Sequence, residues 1–197
     1  MMNQTLRSKP SFIINFRLPW GNCVFTSEIP SKFLPFLRHR YCPPSPSAPP
    51  PSMDGMAPHE ICTCRFLMGD DNHKCNTLKI IPAVVKGPWI VKKVADGKPA
   101  IVGSKMPTKY IYEPANPDKG LAEYLEMDLD IVASSAARGI LAVAQRYTKT
   151  LTLDLGFVIQ GNKADELPER MLVAMRLHSL DPLTAPSLPE DINSVQW

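Results

Sequence analysis

The chain has 197 residues, 44% apolar and 21% charged, with a formal net charge of +3. That length suits one domain with one core, and the composition is that of an ordinary globular protein. No apolar run approaches the ~20 residues that cross a bilayer, and five cysteines without framework spacing exclude a disulfide scaffold.

The N-terminus MMNQTLRSKPSFIINFRLPW has no signal-peptide core, because Arg7, Lys9, Pro10, Asn15 and Arg17 interrupt its apolar residues. A cytoplasmic place with reduced thiols is the expectation, extended to the periphery of endomembranes if the basic residues meet lipid. The charge is unevenly spread. Residues 1–42 carry six basic side chains against Glu28, a net of +5, and the remainder nets −2. A basic lobe favours anionic partners. No spaced nucleic-acid motif accompanies it, so nucleic acid is not expected as a partner.

In chain order, Phe12–Phe16 and Asn22–Thr26 read as strands about the turn Pro19-Trp20-Gly21. Lys32–Tyr41 (KFLPFLRHRY) reads as a short helix broken near Pro35. Residues 42–52, CPPSPSAPPPS, can form neither ladder nor helix and are expected as an exposed loop; proline spacing there also fits a protein partner with an SH3-type groove. Ile61–Leu67 follows, then the turn-like Gly69-Asp70-Asp71-Asn72. Leu78–Val85, Trp89–Val94, Ala100–Val102 and Tyr110–Tyr112 are predicted strands. In the stretch KIIPAVVKGPWIVKK, Gly87-Pro88 is expected as a hairpin turn, with Trp89 anchoring the core.

Two periodicities stand out later. Leu125, Met127, Leu129 and Ile131 alternate with Tyr124, Glu126, Asp128 and Asp130, which predicts a strand with one buried face. Ser134-Ser135 can cap a helix over about 134–148, with Ala136, Ala137, Ile140, Leu141, Ala144 and Tyr147 as its apolar stripe. Period 2 returns over Leu151–Ile159, and Leu172–Leu177 is the last strand. The fold class is α+β: one antiparallel, β-rich domain with one principal helix packed on the sheet.

Three constellations are candidates for chemistry. His59, Cys62, Cys64, His73 and Cys75 offer zinc ligands, but C-x-C with H-x-C is no standard finger spacing, so incidental residues are the expected reading and no metal is expected. Glu126, Asp128 and Asp130 share a strand face, about 7 Å apart, where paired carboxylates can do acid-base work or bind a hard cation; the expected reading is a solvated face or partners of Lys92, Lys93 and Arg176. Lys32, Arg38 and Arg40 beside aromatics, and Trp89 beside Lys92 and Lys93, have the makings of an interfacial or anion-binding contact. Alternatively they are core helix and solvated ends.

The ordered blocks LKIIPAVVKGPWIVKK, KPAIVGSKMPTKYI, EYLEMDLDIVASSAARGILAVAQRY, LTLDLGFVIQGNKADELPERML and MRLHSLD resemble the C-terminal domain of the plant "enhanced disease resistance two" family. Gly69-Asp70-Asp71 and FIINFRLPWGNCVF extend the resemblance over residues 11–184, with 1–10 and 185–197 as expected disordered ends and 42–52 as an insertion. The resemblance implies a domain that in plant members follows pleckstrin-homology and START domains in negative regulators of defence and cell death. Phosphoinositide binding belongs to the pleckstrin-homology part, so it does not transfer. No enzymatic activity, cofactor or site residue is established for the isolated domain. The start close to the first strand is what a partial gene model or a minimal form would show, and the His/Cys cluster is not a family pattern. The expectation is a non-enzymatic, lipid- or membrane-associated regulatory module, with a protein-interaction scaffold as the alternative and a hydrolase as the remote one.

Overall fold

The computed structural model describes residues 8–181 and 184, so the expected disordered ends at 1–7 and 185–197 lie outside the described residues. Strand β1 (Ser11–Leu18) turns at Gly21 into β2 (Gly21–Glu28). A single 3-10 turn leads into helix α1 (Leu34–Tyr41), and the Pro-rich segment separates it from α2 (Pro58–Met68). After α3 (Asp71–Thr77) come β3 (Leu78–Lys86), α4 (Trp89–Ala95), β4 (Ala100–Ile101) and α5 (Val102–Lys105). Strands β5 (Thr108–Glu113) and β6 (Tyr124–Asp130), helix α6 (Ser135–Gln145), β7 (Thr152–Ile159) and β8 (Met171–His178) complete the order.

The strands form two four-stranded sheets, β2-β1-β6-β5 and β4-β3-β7-β8. Pairing is antiparallel throughout except between β1 and β6, which run parallel. The predicted α+β class is therefore what the chain adopts. Phe12, Ile14 and Phe16 of β1 and Leu125, Met127 and Leu129 of β6 face Leu155, Phe157 and Ile159 of β7 in one core. The Phe16 and Phe157 rings meet with centroids 6.2 Å apart. β6 buries every second residue, as its alternation predicted.

Three local readings change. Pro35 stands in the first turn of α1, where its missing N–H has no partner to lose, so it starts this helix instead of breaking it. Residues 89–94 are helical and not a strand: Val91 and Lys92 donate to the carbonyl of Pro88, whose φ suits a helix start. β4 ends at Ile101, and Val102 begins α5. The family's acidic turn is a helix cap, Asp70 Oδ1 accepting from the amide of His73 at 2.7 Å.

Helix α6 lies against α4 and over one end of the second sheet, with Val143, Ala144 and Tyr147 on the small cluster of Val84, Val91 and Leu151. The side chains of Ala136, Ala137, Ile140 and Leu141 lie outside the described residues. α5 approaches α3 so closely that a Cβ on Gly103 would stand 2.3 Å from Cys75 Cβ and 2.6 Å from its carbonyl oxygen. Gly103→Ala is expected to lower stability by about 2 kcal/mol, read as a shift in the urea midpoint.

Candidate functional site

Helix α2 is apolar nearly all round and is buried between α1 and the core, which separates the proposed zinc ligands. Cys62 Sγ donates to the carbonyl of Ile159 at 3.7 Å, Cys64 Sγ lies 3.4 Å from Met56 Sδ, and Cys75 Sγ points to the carbonyl of Thr108 at 3.9 Å. His59 lines a surface cleft, and His73 sits in the first turn of α3 over Gly69. Among the described residues no group of three His, Cys, Asp or Glu side chains is placed to hold a metal ion. Burial pushes the Cys62 thiol up to about 11 and the Cys64 thiol up to about 12, so both stay protonated and poorly nucleophilic at neutral pH.

Glu126, Asp128 and Asp130 do share the outer face of β6. Asn15 Nδ2 donates to Glu126 Oε1 at 3.3 Å and to Asp128 Oδ1 at 2.9 Å, and Arg17 stands 3.8 Å from Asp130. Burial, then the neighbouring Asp128, raises the Glu126 carboxyl above its ordinary range. A raised carboxyl beside a second acid is how an acid-base pair is built. Neither of the two described clefts is lined by these residues. Their suggested partners lie elsewhere: Arg176 grips Asp154 across β7 and β8 at 2.6 and 2.8 Å, and Lys92 and Lys93 are on α4.

The six basic and aromatic candidates fall into two groups. Lys32 pairs with Glu60 at the start of α2 and stands 5.1 Å over the Phe33 ring. Arg38 is a structural tie: its Nε donates to both carboxylate oxygens of Glu123, at 2.9 and 3.1 Å, and its Nη2 also donates to Oε1. Glu123 is 2% exposed and also accepts from Tyr112 OH at 2.9 Å. Arg40 is exposed and lies 5.9 Å over Tyr41. A cleft of about 180 Å³ adjoins Lys32, lined also by Phe33, His59, Glu60 and Arg170. In the Pro-rich segment, residues 42–47 are exposed and the amide of Ala48 closes a turn onto Ser45.

The second group stands at the other end of the second sheet. α2 meets the Leu78–Ile159 end of the β3–β7 pair, whereas α4 follows Lys86, eight residues and about 26 Å along β3. Here Trp89 is 72% exposed, with Lys93 Nζ 5.8 Å from its ring, so it does not anchor the core. A helix at this point turns Val91 inward, 1% exposed, and leaves Trp89, Ile90, Lys92 and Lys93 outside.

The family model for Protein ENHANCED DISEASE RESISTANCE 2, C-terminal, matches residues 2–181 of this chain. The chain belongs to that family. The order of blocks that carried the resemblance is thereby borne out. Protein ENHANCED DISEASE RESISTANCE 2-like of Arabidopsis thaliana is 35% identical over 129 residues, 64% of this chain and 17% of that protein. This enhanced-disease-resistance-2 C-terminal domain thus corresponds to less than a fifth of that relative's length. No solved structure matches it.

Within this family member, sequence reasoning named Trp89, Lys92 and Lys93 but missed their neighbours Val85, Lys86, Ile90 and Lys98. The signal was present in Gly87-Pro88, which starts a helix as readily as it turns a hairpin. Asp96, also unremarked, holds the group together: its Oδ1 accepts from the amide of Val84 at 2.8 Å, on a stretch of β3 that β4 does not reach.

Proposed function

We propose that this domain is a non-enzymatic regulatory module that works at an anionic membrane surface. The observation that carries the reading is the charge around the β3–α4 junction. Lys86, Lys92, Lys93 and Lys98 are all exposed there, and the one acid between them, Asp96, is engaged with Val84. Each lysine near an anionic bilayer contributes about 1 kcal/mol, so four of them support weak, reversible, salt-sensitive adsorption. The cleft beside Lys32, about 180 Å³, is smaller than the roughly 300–1,000 Å³ typical of ligand pockets, so it does not by itself enclose a lipid. The protonated thiols and the engagement of Glu126 and Asp128 by Asn15 support the non-enzymatic part.

Sedimentation with vesicles tests it. The domain is expected to pellet with phosphatidylserine-containing vesicles, to stay in solution with phosphatidylcholine alone, and to be released by high salt. Lys92→Glu with Lys93→Glu should weaken the association by at least about tenfold. Equal pelleting with both vesicles, or none, would count decisively against the proposal.

A further inference from the structure

We propose that Val85, Trp89 and Ile90 form a rigid apolar wedge that enters the headgroup boundary of an anionic bilayer; this rests on the membrane reading above. Exposures of 50%, 72% and 38% for these three side chains, within six residues of chain, are a concentration of apolar surface that folding has left outside. The local geometry produces it. An irregularity in the β3–β7 register between Val84 and Lys86 leaves Val85 out of the pairing, Val84 packing in the cluster below while Val85 faces solvent. Gly87 then lets the chain pass against Leu151, where a Cβ would stand 2.7 Å from Leu151 Cδ1. The seven-residue helix α4 is held by Val91, which packs with Val84 and Leu151, while Trp89 and Ile90 stand exposed.

The wedge is also braced at its far end. Asp96 bonds the Val84 amide, and the Gly97 amide donates to the carbonyl of Pro82 at 2.8 Å, folding the end of α4 back on β3. A braced wedge loses little conformational freedom on insertion, so more of its apolar contact appears as affinity. The chemistry of the rim selects the partner. An indole with an ammonium over its face and further lysines around it matches the level where acyl chains give way to phosphates: the ring takes the boundary and the lysines reach back to the headgroups. A protein partner would have to bring several carboxylates to this rim. A nucleic acid would be served by several stacking rings, and one tryptophan stands here.

The 197-residue chain with Trp20→Phe and Trp197→Phe leaves Trp89 as the sole indole. With vesicles of phosphatidylserine and brominated phosphatidylcholine, its emission is expected to shift to the blue and to be quenched. Trp89→Ala, with an unchanged melting temperature because the ring is exposed, should weaken vesicle affinity by about tenfold. Pelleting of the chain with an unquenched Trp89 and an unaltered Trp89→Ala affinity overturns the wedge and leaves electrostatic adsorption standing. No pelleting of the unaltered chain removes both. A blue shift with polyuridylate or a poly-glutamate peptide, and none with vesicles, overturns the wedge in favour of a macromolecular partner.

Discussion

Arg38→Met is expected to cost the domain about 3 kcal/mol and Arg40→Met less than about 0.5 kcal/mol, although the two arginines stand two residues apart on the same helix. Arg38 reaches from α1 to Glu123, 85 residues further along the chain, and supplies most of the hydrogen bonds to a carboxylate that is 2% exposed. The Arg38 side chain itself is 55% exposed, so losing its charge matters little; what matters is the carboxylate left behind with only Tyr112 OH. For a domain of this size the loss should lower the melting temperature by roughly 6–12 °C. Arg38→Met with Glu123→Gln should recover much of the loss, because no charge is then left buried without its partner. A double variant no more stable than Arg38→Met would show that the pair is not what ties α1 to the start of β6. The same geometry removes Arg38 from the residues free to meet an anionic ligand, because a variant there would report on folding first.

Lys74→Met is expected to raise stability at pH 7 by about 2 kcal/mol. Lys74 is fully buried, its Nζ donates to the carbonyl of Gly69, and it stands 5.3 Å over the Tyr41 ring and 5.7 Å over that of Tyr110. The phenol oxygens of both tyrosines are buried without a described partner. Burial pulls the Lys74 ammonium down to about 8; Asp71 and Asp70 oppose the shift and Arg40 adds to it. The sign follows. The unfolded chain holds this proton up to about 10.5, the folded one only to about 8, so the cost of the buried charge is full below pH 8 and is relieved as pH rises to about 10.5. A difference of about 2.5 in pKa corresponds to roughly 3 kcal/mol, partly offset in the variant by the lost ring contacts and the unpaired Gly69 carbonyl. The stability advantage of Lys74→Met over the unaltered chain should thus be largest near pH 7 and fade by pH 10. The comparison isolates Lys74 from the cysteines and tyrosines that also titrate there. An advantage that does not change with pH would mean that Lys74 keeps its ordinary pKa in the folded chain.

How far the chain could be read depended on how local the decisive contacts are. Leu125, Met127 and Leu129 declare the buried face of β6 because alternation across one strand needs no knowledge of its neighbours. β1, β2, β7 and β8 were legible as strands, although β1 and β7 bury consecutive residues, and the family was legible in the order of its blocks. Helix α2 was not assigned, because Ile61 to Met68 is apolar on nearly every side and periodicity cannot separate a buried helix from a buried strand. Nor could spacing show that Cys62, Cys64 and Cys75 point to three different carbonyl or sulfur partners, since convergence of ligands is a property of packing.

The sequence by itself determined the α+β class, the main strands, the buried face of β6 and the family, because period and block order are written along the chain. Only the tertiary structure decided which basic residues are free. Arg38 is bound to a carboxylate 85 residues away, whereas Lys92 and Lys93 are exposed on α4 and enter none of the ion pairs among the described residues. The stretch that begins at Lys79 became a strand followed by a helix for the same reason: α6 supplies a bed for Val91, and with that side chain inward Trp89 is left facing solvent.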